Sequence, residues 1–205
     1  MHVVDFARYR LRLLLECPLL GVQERRQHRA FDQYTAELVR DDDVVCAVAE
    51  VYFVRIDDPR ADHARAAASI GSEFLVKVCL EALDWRGMVQ EHIEQEFMDA
   101  MTDVFVLERI DILDSDADKP VLRGMFVQAL FSTLSRGMDI VFIRAEGDEL
   151  PFWRDTVGAR QIGDFIAASG ARRLPVYPKP PRPAPARAGR AAPRLRIVGK
   201  PRQPN

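Results

Sequence analysis

The stretch that most limits what this chain can fold into is 104–130, VFVLERIDILDSDADKPVLRGMFVQAL, where an apolar strand runs through a polar loop straight into a helix. Val104, Val106, Ile110 and Ile112 fall on one face of an alternating strand, and Phe105, Leu107 and Leu113 on the other. Apolar residues on both faces are the pattern of a central strand covered by helices on both sides. The polar run 114–119 breaks the alternation. Pro120, whose φ suits a first helical turn, then opens a stretch in which Val121, Met125, Leu130 and Leu134 recur at helical spacing up to a stop at Gly137. A second apolar strand, 139–145 (DIVFIRA), follows at once. Strand, helix and strand in this order predict a parallel pair joined by a crossover.

With FVLERIDI, Arg123-Gly124, an amphipathic helix, DIVFIRA and the closing FWRDTVGARQIG in hand, the chain resembles the GNAT superfamily of acyl-CoA-dependent N-acetyltransferases. The resemblance covers about 104–165 and reaches more faintly into the N-terminal half. It implies an α/β fold built on a mixed sheet, acetyl-CoA as donor, and an amine of unknown identity as acceptor. In that superfamily an arginine-glycine-x-glycine-x-glycine turn cradles the cofactor's pyrophosphate at a helix N-terminus, which implies cofactor contacts at Arg123, Gly124, Met125, Phe126 and Val127. Phe126 and Gln128 stand where the pattern has glycines. The pantetheine arm is implied to lie between 104–113 and 139–145, along Ile110 and Ile112.

Acyl transfer to an amine needs a base, donors for the thioester carbonyl and an acid for the leaving thiolate. Glu108 and Asp111 are the acids within the central strand, and the resemblance implies that one of them is the base, acting through water. Simple alternation places them on opposite faces. Glu108 beside Arg109 also reads as half of an ion pair. The superfamily's tyrosine has no counterpart in 152–157 (FWRDTV), where Trp153 reads as core. The missing glycines and tyrosine define a second functional class, a binding module that kept the fold and lost the chemistry.

A chain of 205 residues with 48% hydrophobic content suits one core plus a tail. The formal charge of -2 hides a division. Residues 171–205 hold ten Lys or Arg and no acid, which leaves 19 basic against 31 acidic residues in the body, a net of -12. The expected organisation is a GNAT-like domain over 1–173 and a disordered Pro/Arg-rich tail over 174–205, suited to protein or nucleic-acid contact or to a solvated extension. Cys17, Cys46 and Cys79 are far apart and lodged among apolar residues, which predicts buried reduced thiols and a cytoplasmic setting. The opening MHVVDFARYR is interrupted by charge, and no apolar run approaches the roughly 20 residues of a membrane span, so neither a signal peptide nor membrane association is expected.

Along the rest of the chain, 2–8 reads as an edge strand, 10–20 stays unassigned because of Pro18, and 21–40 reads as a helix with Phe31, Tyr34 and Leu38 on one face. Residues 44–56 read as a strand and 57–68 as a loop. A helical pair follows, capped by Ser72 and Asp84, the second helix carrying Val89, Ile93, Phe97 and Met101. Residues 150–157 form a short helix ending at Gly158, and 160–168 a last strand. No metal site is expected: His2, His28, His63 and His92 are scattered. Asp114, Asp116 and Asp118 start like a calcium loop, but Lys119 and Met125 occupy the positions that need Gly and Glu.

Overall fold

A computed structural model describes residues 6–16, 30–55, 62–84, 87–97, 103–115, 118–134, 139–145 and 149–169. The tail from 174, Cys17 and Met101 lie outside them. The described elements are β1 (Tyr9–Glu16), β2 (Phe31–Arg40), β3 (Val45–Val54), α1 (His63–Ile70), α2 (Glu73–Glu81), α3 (Glu91–Phe97), β4 (Asp103–Ile112), α4 (Lys119–Leu134), β5 (Asp139–Ile143), α5 (Leu150–Val157), β6 (Arg160–Ile162) and β7 (Phe165–Ser169). The fold is α/β. One mixed seven-stranded sheet has the order β1-β2-β3-β4-β5-β7-β6. Among the described residues its neighbours are antiparallel except at the centre, where β4 and β5 run parallel, joined through α4.

Helices cover both faces of this sheet, as the two-sided apolar pattern of β4 requires. On one face Tyr52, Val54, Val104, Val106, Ile140 and Phe142 pack against Leu75, Val78 and Ile93 of α2 and α3. We call this the α1–α3 face. On the other, Ala49, Val51, Phe105, Leu107, Val141 and Ile143 pack against Leu122, Phe126, Leu130 and Phe131 of α4 and Trp153 of α5. β5 is buried along its whole length, which explains why DIVFI carries no alternation. No helix among the described residues is long and apolar enough to cross a membrane.

Four expectations are corrected. The edge strand read at 2–8 is a 3-10 turn over Phe6–Arg8, with 2–5 outside the described residues, and the edge strand, β1, runs from Tyr9 into the stretch left unassigned. The helical reading of 21–40 fails over Phe31–Arg40, which is β2; 21–29 lies outside the described residues. Tyr34, Ala36 and Leu38 enter one face at a period of two, and pairing with β1 and β3 on both edges outweighs a spacing that also fits a helix. The loop expected at 57–68 is helix α1 from His63 onward; 57–61 lies outside the described residues. Asp62 caps this helix by accepting the Arg65 amide at 3.0 Å, an alanine run propagates it, and Gly71 ends it at φ +86. The last strand is a hairpin, β6 and β7, turned at Gly163 with φ +56.

Ser72 caps α2, as its sequence predicts. Asp84 instead accepts the Met88 amide in a turn ahead of α3. The charged β2–β3 turn is fastened to its surroundings: Asp41 bonds Arg8, Asp43 bonds Arg10, and Arg40 bridges Asp42 to Asp114 on the loop after β4.

Phe126 is fully buried between α4 and the sheet. Its replacement by Ala should cost about 3–5 kcal/mol of stability in urea unfolding; a loss below about 1 kcal/mol would show that α4 does not seal the sheet there. Cys46 and Cys79 are buried and unbridged. Burial pushes the Cys79 thiol up to about 12. Because an unfolded thiol ionises near pH 8.5, its stabilising contribution is complete below about 8.5 and declines as pH rises toward 12. Reaction of Cys79 with a thiol reagent at pH 8 should therefore require denaturant; rapid labelling of the native chain would contradict the burial.

Candidate functional site

β4 is interrupted at its middle. Glu50 of β3 pairs with Arg109, but Val51 pairs with Leu107, so Glu108 is an extra residue in β4, a bulge. The parallel ladder between β4 and β5 ends at the same level, at Leu107 opposite Ile143, with a last bond from the Arg144 amide to the Leu107 carbonyl at 2.9 Å. β4 continues to Ile112 with no strand beside it on that edge among the described residues. One extra residue in a structure with period two reverses every side chain that follows. Ile110 and Ile112, expected on the face of Val104 and Val106, instead join Phe105 and Leu107 on the α4 side. Glu108 and Asp111, expected on opposite faces, share the α1–α3 face: Asp111 stands opposite Val48, on the same face as Glu50 and Tyr52.

Glu108 is 9% exposed. Ser72 donates its hydroxyl to Oε2 at 2.7 Å, and Arg144, at the end of β5, donates to Oε1 at 2.6 Å. Three elements thus converge on one carboxylate: the β4 bulge, the N-terminus of α2 and the end of β5. Asp111 is more open and pairs with Arg109 at 2.9 Å. On the neighbouring strand Glu50 accepts from the Tyr52 hydroxyl and, at 3.0 Å, from Gln33 Nε2. Tyr52 is buried, with Phe31 edge-on to its ring. Ser72 was read from sequence only as a helix cap, and Arg144, Glu50, Tyr52 and Gln33 were not assigned to the site. For Glu50 and Tyr52 the signal was there: an acid and a hydroxyl inside the apolar run VVCAVAEVYFV, at the parity that places them together.

The region around Arg123 is arranged differently from a phosphate cradle. α4 starts at Lys119, so Gly124, Met125, Phe126 and Val127 lie beyond its first turn, where amides bond within the helix. All four residues are buried. Arg123 turns to Glu149 of the loop before α5 and lies over the Phe152 ring. Asp118 occupies the start of α4, accepting the Leu122 amide at 2.9 Å through its carbonyl and the Val121 amide at 3.4 Å through its side chain. Pro120 has no amide to offer. Trp153 is buried, as the sequence reading expects, and its indole N–H points to Glu149 at 3.4 Å.

His63 is buried with Nε2 at 2.8 Å from the Arg55 carbonyl, and His2 and His28 lie outside the described residues. Among the described residues no group of three or more His, Cys, Asp or Glu is placed to hold a metal ion.

Comparison with protein-family models, with characterised proteins and with solved structures finds no match.

Removing the Tyr52 hydroxyl takes one donor from Glu50. Tyr52→Phe should cost about 0.5–1.5 kcal/mol in urea unfolding; an unchanged midpoint would show that this bond does not help hold β3.

Proposed function

We propose that the chain is an acyl-CoA-dependent N-acyltransferase of the GNAT type, with Glu108 as the base toward an amine acceptor. The end of the β4–β5 ladder at the level of the bulge carries this proposal. Beyond Leu107 the edge of β4 from Arg109 to Ile112, with no strand beside it among the described residues, offers peptide groups to the amides of a pantetheine arm, as an added strand would use them. Support also comes from the sheet order, with its parallel pair at the centre joined by α4, and from the sequence resemblance over 104–165.

A bound thioester would supply the activated acyl carbon. The protein's part is to place a carboxylate beside it and keep that carboxylate oriented. Glu108 sits where the β4–β5 ladder ends, fixed by Arg144 on one oxygen and Ser72 on the other. Each oxygen keeps a further lone pair, which accepts the proton of an incoming amine directly or through water. Asp111, its side chain 46% exposed and paired with Arg109, is the less oriented of the two acids.

The strand edge fits the pantetheine half of the cofactor. The start of α4 does not fit its pyrophosphate: a carboxylate stands there, Asp114 is near it in the chain, and Arg123 is engaged by Glu149. Negative charge at a helix N-terminus opposes an anionic ligand. That observation favours a second reading, a catalytically inactive relative acting through protein or nucleic-acid contact, with the basic tail as the contacting segment.

Isothermal titration with acetyl-CoA separates the two. Saturable heat at micromolar to millimolar ligand is expected, and it should survive Glu108→Gln, which removes the base and leaves the strand edge. Silence at millimolar acetyl-CoA would remove the acyltransferase reading and leave the binding module.

A further inference from the structure

Ser72 is explained only in part by its place at the head of α2. Its Oγ accepts the Leu75 amide at 2.9 Å, an ordinary N-cap. The hydroxyl has one proton, and that proton goes to Glu108 Oε2 at 2.7 Å. Both Ser72 and Glu108 are 9% exposed, so water has little access to replace the bond. An N-cap needs only the acceptor function, which Asp, Asn or Thr also supplies. The donor function matters only to Glu108.

The two roles fix each other. With one lone pair on the Leu75 amide, the hydroxyl cannot rotate freely, so its proton has a set direction. That direction fixes Oε2, while Arg144 fixes Oε1 from the end of β5. The carboxylate is therefore held from two elements that the chain brings together over long separations, Ser72 lying 36 residues before Glu108 and Arg144 36 after it. Ser72 is poorly arranged as a nucleophile or proton relay, since its acceptor side faces a backbone amide that cannot give up its proton.

We propose that Ser72 is a positioning residue for Glu108, locking the orientation of that carboxylate at the β4 bulge from the N-terminus of α2. The proposal rests on the acyltransferase reading for its role in turnover, but the coupling between the two residues is measurable without it.

The test uses Ser72→Gly, which retains most of the capping preference and lacks the donor, and Ser72→Thr, which retains both functions. Thiol release from acetyl-CoA is followed across a panel of primary amines. For any acceptor the wild-type chain turns over, Ser72→Gly should lower kcat about 10- to 100-fold with KM for acetyl-CoA within about twofold, and Ser72→Thr should restore most of it. Equal kcat in Ser72→Gly would overturn the proposal, as would a loss that Ser72→Thr fails to rescue.

Alongside, a double-mutant cycle of Ser72→Gly and Glu108→Ala is read by urea unfolding of the full chain. The folding equilibrium of the double variant should depart from the product of the single effects by about fivefold or more. Additivity would overturn the coupling whatever the outcome with amines. If the wild-type chain turns over no amine while the cycle shows coupling, the acyltransferase reading falls and the Ser72–Glu108 bond stands.

Discussion

The bulge at Glu108 is the feature on which the centre of the molecule depends. A regular ten-residue strand would keep one apolar set on each face along its length. The extra residue divides β4 into two halves of opposite parity. The first half contributes Val104 and Val106 to the core under α2 and α3, and Phe105 and Leu107 to the core under α4. The second half keeps Ile110 and Ile112 on the α4 side and turns its charged residues to the opposite face. The packing of the isoleucines against the α4-side core and the grouping of Glu108, Arg109 and Asp111 follow from that one insertion.

The bulge also explains how a carboxylate is tolerated in the most buried strand pair. An ionised group out of water is costly unless it is bonded. Glu108 meets that requirement with one neutral donor and one cationic donor, each from a different element. Glu50 meets it with Tyr52 and Gln33. The two acids sit on adjacent strands of one face, each held by its own pair of donors, at the level where β5 stops. The oriented hydroxyl on its second oxygen distinguishes Glu108 from the exposed charged pairs at the rim of the sheet.

Those rim pairs have another role. The Asp41–Asp43 turn, Arg8, Arg10, Arg40 and Asp114 tie the start of β1, the β2–β3 turn and the loop after β4 to one another. Exposed pairs of this kind contribute little stability each. Their effect is geometric, because Leu113 and Asp114 are also bonded through their amides to the Cys46 carbonyl, which fixes where the chain leaves β4 on its way to α4. At the far end of that loop Asp118 caps the helix that the superfamily resemblance would assign to phosphate.

Sequence by itself determined the strand, helix, strand unit and its parallel pairing, because a two-sided apolar run, a proline at a helix start and a second apolar run admit few other arrangements. It determined β3, the Ser72 cap and the helix ending at Gly158 for the same reason: each signal is local and covalently close. It misassigned β2, because Phe31, Tyr34 and Leu38 satisfy a helical period as well as they satisfy a sheet, and only the strands on either side decide between them. It also placed Glu108 and Asp111 on opposite faces, since alternation counts residues and has no way to register an insertion that exists only relative to a partner strand. What tertiary structure alone decided was the register of β3 on β4, and with it the face, the burial and the two partners of Glu108, because those depend on residues 36 positions away in each direction.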